Sequence, residues 1–165
     1  MSLSSKRLIY KKCEPSDQED YLLFVTNTEV MHYVSPQMLT PEEAIGRFER
    51  ALLINRENKD FGYWLAYEKP AGRLIAYLKI VYYGNGQYEV GYLVLPEYWG
   101  QKYASELTAA LVQYAKTFKV VKSLVGIVHV DNGASKRVLQ KSGFEQYETG
   151  LYEGAPAAFL KLEIE

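Results

Sequence analysis

Val90-Gly91-Tyr92-Leu93-Val94-Leu95-Pro96-Glu97-Tyr98-Trp99-Gly100-Gln101-Lys102-Tyr103-Ala104 changes period part-way along. Up to Leu95 it is apolar and rich in strand formers, and Pro96 stops that run. From Ala104 onward, Leu107, Thr108, Leu111, Val112, Ala115 and Phe118 recur at offsets of three and four, one face of a helix. The stretch therefore reads as strand, short loop, helix. Its helix start leaves amide N–H groups without partners, and such an end attracts phosphate through those donors and the helix dipole. The same residues also fit a plain strand-to-helix turn.

Working outward, residues 61–68 and 73–83 read as strands joined by the turn Lys69-Pro70-Ala71-Gly72. Gly84-Asn85-Gly86 gives an Asn-Gly hairpin into the strand at 87–95, so these three strands form an antiparallel meander. Leu8-Ile9-Tyr10 suggests a first strand. Pro15-Ser16-Asp17 starts a helix, with Tyr21, Leu22, Val25 and Thr28 at helical spacing. Thr40-Pro41-Glu42-Glu43 carries a capping box with Pro at the first helical position, and Ile45, Phe48 and Leu52 follow on one face. Downstream, 123–130 is a strand, 133–142 a helix stopped by Gly143, and 144–149 and 157–164 two strands joined at Glu153-Gly154. The alternation predicts an α+β domain of about seven strands and about four helices.

The length of 165 residues predicts one domain over 1–165, enough to hide roughly 68–70% of the unfolded chain's surface. The hydrophobic share of 48% excludes a disordered scaffold. The 19 basic and 20 acidic residues leave a net charge of −1, so there is no cationic excess for a nucleic-acid partner. The single cysteine, Cys13, cannot form an internal disulfide or a cysteine-based metal site, and neither histidine, His32 or His129, lies in a metal-binding spacing; no metal is expected. The polar start lacks an export signal and no apolar run is long enough to span a bilayer, which together predict a cytoplasmic protein. Nothing separates a monomer from a homodimer. The 15 tyrosines suggest half-buried strand faces and a cleft lining.

A second segment carries polar residues at a helix start: Asp131-Asn132-Gly133-Ala134-Ser135, then Val138-Leu139-Gln140-Lys141-Ser142-Gly143-Phe144. Alone it reads as helix capping. Taken with the first segment, about thirty residues upstream, the chain resembles the GNAT superfamily of N-acetyltransferases, most closely its ribosomal-protein-N-terminal (alanine) acetyltransferase-like branch. Trp99-Gly100-Gln101-Lys102-Tyr103-Ala104 is similar to that branch's Trp-Gly-x-Gly-Tyr-Ala coenzyme A loop. Asn132-x-x-Ser135 with Val138-Leu139-x-Lys141-x-Gly143-Phe144 is similar to its second signature.

The resemblance implies a mostly antiparallel sheet that splays apart between the strands at 87–95 and 123–130, with acetyl-CoA in the opening as co-substrate. Its pyrophosphate would meet backbone N–H groups along Gly100, Gln101, Lys102, Tyr103, Ala104 and Ser105, beside Trp99. Its pantetheine would pair with Leu93, Val94 and Leu95 like an added strand, with Asn132 and Ser135 alongside. Two residues depart from the pattern. Lys102 stands where glycine is usual, at a cost of roughly 1–2 kcal/mol if the backbone there is left-handed. Leu139 stands where other branches carry a tyrosine acid.

The implied reaction is direct attack of a neutral primary amine, on a protein N-terminus or a small molecule, on the thioester. An α-amino group with a pKa of about 7.7–8.0 needs less help from a base than a lysine near 10.4. Glu89 is the candidate base, against the alternative of an exposed strand residue. Ser142 and Tyr147 are candidate acids toward the thiolate. A backbone N–H around Val94, at an expected bulge, is the candidate oxyanion donor. His32, Tyr33, Tyr63 and Tyr88 are candidates to line the acceptor pocket. The competing reading is a non-catalytic acyl-CoA-binding sensor.

Overall fold

The computed structural model describes residues 2–165. β1 (Leu8–Lys12), β2 (Gly62–Glu68), β3 (Leu74–Gly84), β4 (Gln87–Val94), β5 (Ser123–His129), β6 (Glu145–Tyr152) and β7 (Ala155–Glu163) form one sheet in the order β1-β2-β3-β4-β5-β7-β6. β4 and β5 pair in parallel and the other neighbours are antiparallel. α1 (Gln18–Val25), α2 (Thr28–Met31), α3 (Pro41–Glu57), α4 (Tyr103–Ala115) and α5 (Gly133–Lys141) cover it.

The local signals explain most boundaries. The β3–β4 hairpin turns at Asn85 and Gly86 with φ of 53° and 77°, both left-handed as a type I′ turn requires. The Thr40 hydroxyl accepts from the Glu43 amide at 3.1 Å, and the Glu43 carboxylate accepts from the Thr40 amide at 3.4 Å, so α3 starts on its capping box. The helix expected to run through Thr28 instead breaks. The Asn27 side chain accepts from the amides of Glu29 and Val30 at 3.0 and 3.2 Å, and this cap starts α2 rather than continuing α1. Five α-helices therefore stand among the described residues where about four are expected.

The core has two parts, one on each face of the sheet. Leu107 and Leu111 of α4 pack with Leu78, Ile80 and Leu124. On the other face Tyr21, Phe24 and Phe48 from α1 and α3 pack with Leu65. Strands covered on both faces must be apolar on both, which explains the run Ile75-Ala76 and the buried pair Leu65-Ala66. β6 is exposed along nearly its whole length and forms the sheet edge. No helix among the described residues is long and apolar enough to cross a membrane.

Candidate active site

β4 and β5 pair only from Gln87↔Ser123 to Val90↔Gly126. Beyond that point β4 stays with β3 and β5 stays with β7, so the sheet splits. The Leu95 amide donates to the Ile75 carbonyl at 3.0 Å. Backbone groups alternate along an antiparallel strand, so Leu93 and Gly91 also turn toward β3, and Tyr92 and Val94 turn their amides toward the split. The expected bulge at Val94 is absent: Ala76↔Val94 through Tyr82↔Tyr88 run in unbroken register, and the irregularity lies at Tyr82/Gly84. Plain alternation is enough to aim the Val94 amide.

After β4, Pro96–Tyr98 makes a single tight turn. Gly100 and Lys102 then have φ of 77° and 65°. Lys102 is thus a left-handed non-glycine residue at the helix start, with a cost of roughly 1–2 kcal/mol. A Cβ on Gly100 would meet no protein atom within 4 Å, so the main chain there faces open space. The first bond of α4 runs from the Glu106 amide to the Lys102 carbonyl at 3.1 Å, leaving the amides of Tyr103, Ala104 and Ser105 without helical partners.

Side chains brace this turn. Trp99 Nε1 donates to the Val94 carbonyl at 2.8 Å. Arg7 Nη1 donates to the Gln101 carbonyl at 3.0 Å, while its Nε meets the Glu106 carboxylate at 2.6 Å. Burial would raise the Glu106 pKa, but the amide and guanidinium of Arg7 and the Ser5 hydroxyl hold it below the usual carboxylate value.

The split opens into a cleft of about 1270 Å³. Leu93, Val94, Trp99, Gly100, Lys102, Tyr103, Ala104, Ser105, Asn132 and Ser135 line it. Leu95 and Gln101 do not: Leu95 packs against the core that holds Phe24 and Phe48, and the Gln101 side chain donates to the Glu97 carbonyl at 3.2 Å. Across the cleft, Asn132 caps α5 by accepting from the Ser135 amide at 3.2 Å, and the Tyr92 hydroxyl donates to Ser135 Oγ at 3.2 Å. Leu139 is buried over Gly126, where an added Cβ would sit 2.6 Å from its Cδ1. The leucine therefore seats α5 on β5.

Glu89 also lines the cleft. It is buried, not exposed on its strand. Its carboxylate meets Lys79 Nζ at 2.8 Å, and the Tyr152 hydroxyl approaches it at 3.4 and 3.5 Å. Lys79 pairs with Gly91 across the strands, and a Cβ at Gly91 would lie 3.0 Å from Lys79 Cε. The missing side chain lets the lysine stem reach diagonally to Glu89. Burial works against the Lys79 ammonium, but Glu89 overrides it and holds its pKa above the lysine range. Burial pushes the Tyr152 hydroxyl up to about 12, with Lys79 opposing and Glu89 adding, so Tyr152 keeps its proton at neutral pH.

His32, Tyr33 and Tyr63 line the same cleft. Tyr88 does not: neighbours on a strand face opposite ways, and with Glu89 turned to the cleft Tyr88 packs on the other face against Phe61, ring centroids 4.4 Å apart. Ser142 and Tyr147 also lie elsewhere. Ser142 ends α5, its amide donating to the Val138 and Leu139 carbonyls. Tyr147 is exposed on β6 beside Phe159, under the Lys161 ammonium. His129 accepts from the Asp131 amide through Nδ1 at 3.0 Å, a structural bond. Sequence reasoning missed Lys79 and Tyr152. The signal for Lys79 is its place as the lone charge inside the apolar run Leu74–Gly84.

A family model described as an acetyltransferase (GNAT) domain matches residues 7–145. The chain belongs to the GNAT family of acetyltransferases. YoaA of Bacillus subtilis, described as an uncharacterized N-acetyltransferase, is 26% identical over 147 residues, which cover 87% of this chain and 82% of YoaA. Two solved structures share its fold. Spermidine N-acetyltransferase from Vibrio cholerae, in complex with CoA and spermine, matches with a TM-score of 0.79 at 14% identity, covering 95% of each chain. RimL, a ribosomal L7/L12 α-N-protein acetyltransferase in complex with CoA, matches with a TM-score of 0.79 at 18% identity, covering 99% of this chain and 97% of RimL. The split sheet is thus the GNAT fold, and this chain is an N-acetyltransferase.

Proposed function

We propose that the chain moves an acetyl group from acetyl-CoA to a primary amine by direct attack within a ternary complex. One observation carries this most: β4 runs on past its last pairing with β5, turning the amides of Tyr92 and Val94 into a cleft that also holds Glu89 and Tyr152. Those amides suit an extended amide-bearing arm added as a strand. The free amides at the start of α4, with Lys102 beside them, suit a diphosphate. Asn132 and Ser135 face them from α5.

Glu89 takes the proton from the incoming ammonium, directly or through one water, and Lys79 holds the carboxylate in place. The amine nitrogen then bonds to the acetyl carbon and the carbon–sulfur bond breaks. The arm takes only one of the two β4 amides, and the Val94 amide faces the oxygen that gains charge. Tyr152 gives its proton to the departing thiolate and recovers one from Glu89; the second proton that the nitrogen loses on becoming an amide leaves through Glu89 to water, so the site returns to its starting state. Protein N-termini suit it because their amines are more often neutral at pH 7 than lysine side chains. That acceptor class is also what the ribosomal-protein branch of the family would supply.

Glu89→Gln tests the role of the carboxylate. Free-thiol release with acetyl-CoA and a panel of amines should fall about 10²- to 10⁴-fold in kcat, with acetyl-CoA affinity kept. An unchanged kcat would remove Glu89 as the base. Binding of acetyl-CoA with no transfer to any amine by the wild-type chain would favour the sensor reading instead.

A further inference from the structure

We infer that the acceptor carries a carboxylate close to its amine, and that Arg50 and Arg47 of α3 select it; this rests on the acetyl-transfer reading above. Arg47, Arg50 and Ile54 lie at helical offsets of three and four and all face the cleft. Among the described residues Arg50 has no ion-pair partner, and Arg47 meets only Glu153, at 4.0 Å. Tyr21, whose hydroxyl burial pushes up to about 12 against the opposing charge of both guanidiniums, lines the same cleft.

Their position relative to the reacting groups follows from the hairpin. Tyr152 touches Glu89 and the next residue, Glu153, touches Arg47. The adjacent hairpin residues Tyr152 and Glu153 thus link Glu89 to Arg47, and all four line the one cleft. An acceptor with its amine at Glu89 therefore lies in a cleft that also presents Arg47 and Arg50. The Lys79 charge is already matched by Glu89 at 2.8 Å and Arg47 meets Glu153, which leaves Arg50 as the unmatched cation on this side. Glu29 of α2 is the other lining acid without an ion pair among the described residues. It gives a polycation its best foothold, and the test must oppose the two.

Two sources could supply the carboxylate: an acidic residue just after a protein N-terminus, or a free amino acid. The full chain is assayed by thiol release with acetyl-CoA and four acceptors. These are an amidated peptide with two glutamates after its first residue, its glutamine counterpart, free glutamate, and spermidine. The glutamate peptide or free glutamate should exceed the glutamine peptide about tenfold in kcat/KM, and whichever leads identifies the source. Arg50→Glu should bring the ratio of the two peptides to one or below. Raising the salt to about 1 M should shrink the wild-type ratio, since exposed charges are screened. Circular dichroism of the variant checks that it folds, and Arg50→Ala repeats the test without the added charge. Equal use of both peptides with free glutamate no better than either, or a preference for spermidine, overturns the inference while leaving acetyl transfer standing. No thiol release from any amine, with acetyl-CoA bound, overturns the transfer reading itself.

Discussion

The two ends of the cleft are made of different materials. Between β4 and α4 the groups turned to the opening are main-chain amides, aimed by strand alternation and by two left-handed residues, Gly100 and Lys102. Toward α3 and the β6–β7 hairpin they are side chains: Arg47, Arg50, Lys79, Glu89 and Tyr152, gathered from four elements far apart in the chain. A backbone site is nearly indifferent to side-chain identity unless a Cβ or a forced φ intrudes, which is how Lys102 can stand in for glycine. A side-chain site changes its chemistry with one substitution. Variants at the first end should therefore move coenzyme affinity, and variants at the second should move turnover or acceptor choice.

Gly100→Val should break that division most visibly. It forces a β-branched residue into φ of 77° and puts methyl groups where the backbone must be approached. Acetyl-CoA affinity measured by calorimetry should fall more than about a hundredfold, roughly 2.8 kcal/mol. Tyr152→Phe comes next. It keeps the ring and removes the hydroxyl, so kcat should fall about tenfold to a hundredfold with the KM for acetyl-CoA unchanged. A large rise in that KM would blur the two ends into one.

Alkaline melting probes the packing on both faces. Burial, with Asp17 adding and Lys11 opposing, pushes the Cys13 thiol from 9.0 up to about 12. Burial likewise lifts the Tyr10 and Tyr21 hydroxyls from 10.0 to about 12. Each folded-state value lies above its unfolded one, so the folded chain binds more protons over that interval. The stabilisation is complete below about pH 9 and is lost as the pH rises toward 12. The melting temperature should decline steadily across this window, and Cys13→Ala should flatten its lower part.

Lys102→Gly should have the smallest effect. Relief of the left-handed strain is offset by a freer unfolded chain, so stability should stay within about 1 kcal/mol. The loss of a cation near the phosphates should weaken acetyl-CoA about threefold at low salt and less at high salt.

The same division governs what the sequence makes legible. The strand-to-helix turn after Pro96 and the Asn132 cap can be read because each is local, the first a strand, a proline stop and a helix start within fifteen residues; the splay of β4 from β5 is not local and is legible only through the family resemblance. The α3 capping box and the Asn-Gly hairpin are equally local. The break at Asn27 is a local signal that the spacing of Tyr21, Leu22, Val25 and Thr28 overrides on paper. Glu89 can be singled out because it sits on the strand that leads into the turn, and the structure places it in the cleft. Its partners are not, since Lys79 reaches it only through β3–β4 register and the gap at Gly91, and Tyr152 only through a hairpin folded back across two strands. Ser142 and Tyr147 lie close to that hairpin in sequence, but α5 and the outer edge carry them away from the cleft.

Hydrogen exchange on the amides of Tyr92 and Val94, with and without acetyl-CoA, tests the strand-edge site most directly. Both amides should slow strongly when acetyl-CoA is present, together with those of Tyr103, Ala104 and Ser105. Unchanged exchange at Tyr92 and Val94, with protection appearing on another part of the surface, would contradict it.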